Sequence, residues 1–146
     1  MGKLTKRDFE NHWQKIGYEI PRNGFIQKLH KGYYKVIRKK ITDVDQIVGA
    51  FFASTKDRNG FSMGIFMACT DCFAYAAVYP DRDVVVLELF PYTKIESFAT
   101  ALSAEKEPTT LVIKIYDKEV QIVGHEFRIP DAFLINLKQS GVLQLA

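Results

Sequence analysis

The feature that most constrains the fold is a change of hydrophobic period near Gln46. Before it, apolar residues recur every three or four positions; after it, they alternate. In residues 5–20, Phe9, Trp13, Ile16 and Ile20 share one helical face, and Thr5 with Asp8 three residues on makes a weak capping box. Pro21 ends this pattern and Asn23-Gly24 turns the chain. A second helix is expected from about Phe25 to Lys40, with Ile26, Leu29, Tyr33, Val36 and Ile37 as its apolar stripe. Gly32 in its middle costs about 1 kcal/mol relative to alanine, which allows a break or kink there.

From Gln46 the pattern predicts strands over 46–56, 61–70, 72–79, 84–90, 95–103, 109–116 and 119–125. Asp57-Arg58-Asn59-Gly60 is read as a hairpin turn, Asp71 as a bend, Pro80 to Asp83 as a turn, and Asp117-Lys118 as the tip of the last hairpin. A closing helix is expected from Pro130 to Ser140, with Asp131 in its first turn and Gly141 at its end. The sum is a mainly β, α+β chain. It is a strongly curved antiparallel sheet or partly open barrel of about seven strands, closed by a C-terminal helix and preceded by two N-terminal helices. We divide it into a basic helical extension, residues 1–41, and a β domain, residues 42–146.

The size, 146 residues, suits a single core, and 47% hydrophobic with 25% charged residues argues against disorder of the whole chain. The apolar stretch from Phe61 to Val78 is long enough to raise the question of a membrane span, but Ser62, Thr70 and Asp71 interrupt it and its first half alternates. With no signal-peptide pattern at the start, and Lys6 where a myristoylation signal wants a hydroxyl, the expectation is a soluble, cytoplasmic protein without an integral membrane segment.

A resemblance enters between Met67 and Gln139. Thr70-Asp71 precedes the aromatic-rich Phe73-Ala74-Tyr75, and Phe90-Pro91-Tyr92-Thr93-Lys94-Ile95-Glu96-Ser97 supplies a Pro-Tyr-x-x-Ile pattern before a hairpin and a final helix. This arrangement resembles the bacterial PH-domain-like family of the YokE type. The resemblance implies a PH-like fold used for binding or assembly, and a shared fold does not transfer a ligand. Family members often carry a basic residue just after the Thr-Asp turn, where this chain has Cys72.

No catalytic constellation is nominated by spacing, and no cofactor is implied. Cys69 and Cys72 are spaced C-x-x-C, without a second pair or clustered histidines to complete a zinc site. They read as packed thiols, with redox or metal chemistry as the alternative. Residues 1–40 hold 11 Lys or Arg against three Asp or Glu. Lys28, Lys31, Lys35, Arg38 and Lys39, interleaved with Tyr33 and Tyr34, are the candidate binding residues for an anionic lipid surface or nucleic acid. The same charges also fit a solvated face, or docking on the more acidic remainder. Phe9, Trp13 and Ile16 form an apolar stripe that something must cover, so they are the candidate interface to a protein partner or a second copy.

Overall fold

A computed structural model describes residues 3–57 and 60–142. Helix α1 spans Lys6–Ile16, and its capping box forms as expected: Thr5 Oγ1 accepts from the Asp8 amide at 3.2 Å, and Asp8 Oδ2 accepts from the Thr5 amide at 2.7 Å. It stops four residues before Ile20, because Gly17 takes up φ 80° and closes the C-terminus. Helix α2 spans Gly24–Lys40, with the Asn23 side chain accepting from the amides of Phe25 and Ile26. It runs through Gly32 without a break. That glycine faces the sheet, where a Cβ would lie 3.4 Å from Val85.

Among the described residues seven strands follow: β1 Ile47–Asp57, β2 Gly60–Cys69, β3 Cys72–Tyr79, β4 Val84–Pro91, β5 Ile95–Leu102, β6 Pro108–Ile115 and β7 Lys118–Gly124. They form one antiparallel sheet in the order β4-β3-β2-β1-β7-β6-β5, curled into a half-barrel, and α3, Asp131–Ser140, follows it. The expected mainly β, α+β architecture is present. Of the first hairpin's expected turn, Arg58 and Asn59 lie outside the described residues; Gly60 has φ 101°. The last hairpin turns at Tyr116-Asp117, one residue earlier than expected, and both residues are left-handed at φ 51° and 59°.

Among the described residues β1 pairs with β7 at Ala53 with Gly124 and Ser54 with Val123. The sheet's central strands are covered on both faces. Outward, Ile65, Met67 and Cys69 of β2 pack under α1 and α2; inward, Phe66 and Ala68 pack with Phe51, Phe73, Leu111, Ile113, Ile122 and Phe133 of α3. Burial on both faces is why the stretch from Phe61 to Val78 is apolar enough to imitate a membrane span. Among the described residues no helix is long and apolar enough to cross a membrane.

Candidate functional site

The stripe Phe9-Trp13-Ile16 is taken up by the chain's own core. Phe9 is 0% and Trp13 2% exposed, and Ile16 is half-buried. Phe9 stacks on Tyr34 at 4.6 Å, and Trp13 Nε1 donates to the Tyr34 hydroxyl at 3.1 Å. As an interface to another molecule these residues must be corrected: the face that needed covering is covered by α2 and the sheet. Tyr34 also belongs to this layer and not to the basic surface, as does Tyr33, whose hydroxyl donates to the Met63 carbonyl at 2.9 Å. Burial pushes the Tyr34 hydroxyl up to about 12 and Tyr33 well above its ordinary value.

His30 completes the layer. Its Nδ1 lies 2.8 Å from the Ile26 carbonyl, which only accepts, so Nδ1 carries the proton and Nε2 accepts from the Tyr18 hydroxyl at 2.8 Å. Desolvation holds its pKa below the ordinary imidazole value, with the Ile26 carbonyl pulling the other way.

Seated by these aromatics, α2 turns its basic residues outward. Lys28, Lys31, Lys35 and Lys39 are exposed. At 100° per residue they share about 80° of the helix circumference, over about 16 Å of its length. The helix contains no Asp or Glu, and none of the ion pairs among the described residues involves it. Arg38 stands apart. It is half-buried and its Nη1 donates to the Leu4 carbonyl at 3.2 Å, tying α2 to the chain before α1. The structure thus brings four of the five candidate residues into one stripe and gives the fifth a structural partner.

A second region was not singled out from the sequence. The inner face of the half-barrel is apolar towards α3 and polar at its other end, where a cavity of about 770 Å³ opens between β4 and the β6–β7 hairpin. Thr55, Tyr75, Glu88 and Phe90 line one side of it, and Ile115, Tyr116 and Lys118 the other. The Tyr75 hydroxyl and Ser62 Oγ are 3.0 Å apart and both residues are buried, while the Tyr79 hydroxyl donates to Glu88 at 2.8 Å. Tyr116 stands on the rim, 58% exposed and in the left-handed region that tyrosine rarely adopts. Above the cavity runs β4, Val84-Val85-Val86-Leu87-Glu88-Leu89-Phe90-Pro91, bonded to β3 along one edge and to no strand along the other among the described residues. The signal available in the sequence was a strand with a single charged residue. That it is an edge strand depends on the sheet order.

Cys69 and Cys72 end β2 and begin β3. Cys69 is buried and Cys72 half-buried, and both sulfurs are free. Among the described residues no three of His, Cys, Asp and Glu gather into a group that could hold a metal ion.

No family model matches the chain. No curated protein matches it either. Among solved structures it is similar to the crystal structure of the C-terminal domain of an unknown protein from Leishmania infantum. The TM-score is 0.51 at 9% identity, covering 79% of this chain and 97% of that one. At that identity the likeness is one of fold.

Proposed function

We propose that this chain is a non-catalytic, cytoplasmic binding module that takes up an extended segment of a protein partner by strand addition at β4. Kinship with the bacterial PH-domain-like family belongs to the same proposal. The observation that carries the reading is the almost uncharged edge of β4, unpaired among the described residues, beside a cavity of about 770 Å³. An open edge offers backbone donors and acceptors, and the neighbouring cavity offers space for alternate side chains of an added strand. Sheet edges are commonly protected by lysine or an inward charge, and β4 has only Glu88, which is already bonded to Tyr79.

The test is selection of peptides from a display library on the folded chain, followed by hydrogen exchange of the complex. Selected peptides are expected to protect the β4 amides, and Val86→Lys, on the cavity side of β4, to weaken them at least tenfold. Peptides that bind while leaving β4 unprotected overturn the reading. A second copy acting as the partner would appear as a mass that rises with concentration in light scattering.

A second reading rests on the lysine stripe of α2. Four exposed lysines on a helix without an acid, none in an ion pair among the described residues, suit an anionic lipid surface or nucleic acid. Binding to acidic vesicles or to nucleic acid is expected to fall steeply with salt and with Lys31→Glu/Lys35→Glu. Binding indifferent to both sinks this reading.

A further inference from the structure

The two cysteines are placed by the register of the β2–β3 hairpin. Met67 pairs with Ala74 and Ala68 with Phe73, so the next pair is Cys69 with Cys72, directly opposite across the two-residue turn Thr70-Asp71. Opposite residues of an antiparallel pair have Cα atoms about 4.5–5.5 Å apart, inside the span of about 4.4–6.8 Å that a disulfide bridges. Both side chains also lie on the same, outer face: Cys69 belongs to the core beneath the helices and Cys72 packs against it. The turn is held from two sides. The Thr70 amide donates to the Gln46 carbonyl at 3.0 Å, the Tyr92 amide to the Asp71 carbonyl at 3.4 Å, and the Tyr92 hydroxyl to the Cys69 carbonyl at 2.6 Å.

The two thiols are unequal. Cys69 is 2% exposed and Cys72 is half-buried, so a reagent in water reaches Cys72 first. The Cys69 thiol beside it holds the Cys72 thiol below its ordinary value, against burial and the Asp71 carboxylate, with Lys40 at the end of α2 adding to the pull. Cys69 is pushed the other way, by its bond to Cys72 and by burial. One accessible sulfur inclined to the thiolate and one enclosed thiol within bridging distance are the parts of an attacking and a resolving cysteine.

We propose that Cys69 and Cys72 form a dithiol oxidation site, in which a peroxide closes a reversible disulfide across the β2–β3 turn with Cys72 as the attacking sulfur. The Cys72 thiol gives its proton to solvent, the thiolate attacks a peroxide oxygen and the O–O bond breaks, leaving a sulfenic acid on Cys72 and an alkoxide or hydroxide that takes up a proton from solvent to become an alcohol or water. The Cys69 sulfur then attacks the Cys72 sulfur. The S–S bond forms, the S–O bond breaks, and the Cys69 proton leaves with the hydroxide as water. Two thiols are oxidised and one peroxide reduced, and a dithiol reductant restores the pair by exchange.

The experiment treats the full-length reduced protein with hydrogen peroxide, blocks remaining thiols with an alkylating agent, and reads the intact mass. Expected is the loss of two hydrogens with no alkylation, reversed by dithiothreitol. In the untreated folded protein Cys72 should alkylate at least tenfold faster than Cys69, and the difference should vanish in urea. Cys69→Ala should leave a sulfenic acid at Cys72 that dimedone traps, whereas Cys72→Ala should leave Cys69 unreactive. Circular dichroism checks both variants, and the wild-type rates do not depend on their folding. Equal alkylation rates in the folded protein overturn the proposal. So does oxidation of Cys72 to a sulfinic acid without a disulfide, or resistance of both thiols to peroxide that oxidises them in urea. Loss of peptide binding at β4 would not bear on any of these readings.

Discussion

The two faces of the sheet are covered by different chemistry. Outside, Trp13, Tyr18, His30, Tyr33 and Tyr34 are buried as hydrogen-bonded aromatics, joined to one another and to the sheet backbone. Inside, Phe51, Phe66, Phe73 and Phe133 meet ring to ring, with Phe51 and Phe133 edge to face at 4.7 Å, and no hydrogen bond orients them. Directional bonds let the outer layer bury polar atoms without loss: among the described residues no buried side-chain nitrogen or oxygen lacks a partner. They also set the rotation of α2, and therefore which way its lysines point. The inner layer relies on shape, and where its rings run out at the far end it leaves a cavity edged by Thr55, Tyr75 and Glu88.

Four substitutions or conditions would break or sharpen this contrast. The largest effect is expected inside: Phe133→Ala removes a ring packed against both Phe51 and Phe66 and should cost about 3–5 kcal/mol in urea unfolding. Outside, Tyr34→Phe keeps nearly the same shape but orphans the buried Trp13 N–H, for an expected loss of about 1–3 kcal/mol. A neutral Tyr34→Phe would mean that shape alone holds the outer layer as well.

Acid should act on the outer layer first. His30 has a folded pKa below its unfolded value of about 6.5, so the unfolded state binds the proton more readily. Its contribution is present in full above that value and is lost as pH falls towards the folded pKa. The urea midpoint should therefore drop from pH 7.5 to 5.5, and His30→Gln should flatten that change. The smallest effect is predicted for Lys31→Glu/Lys35→Glu, within about 0.5 kcal/mol of the parent, because both side chains are exposed and bonded to nothing in the core. A large loss there would show that the stripe supports the fold instead of facing a partner.

Local signals hold in the structure. Thr5 and Asp8 cap α1, Gly141 closes α3 at φ 66°, and Cys72 and Tyr79 bound β3 as expected after the bend at Asp71. The structure departs from these signals where a short-range rule meets a competing one. Ile20 continued the helical spacing, but Gly17 three residues earlier had already reversed the backbone. The sequence places the last hairpin tip at Asp117-Lys118, yet the pairing of Ile115 with Lys118 puts Tyr116 in the turn. By sequence Arg38 groups with its lysine neighbours, since nothing there announces a bond to Leu4, 34 residues away.

The sequence by itself determined the elements: their type, order and apolar faces, because helix and strand periods, caps and turns are set within a few residues. The tertiary structure decided what each face meets. It turned Phe9 and Trp13 into core and left β4 at an edge beside a cavity. Those outcomes depend on strand order and on which helix covers which face. They are settled by contacts between residues distant in the chain, which local periodicity does not encode.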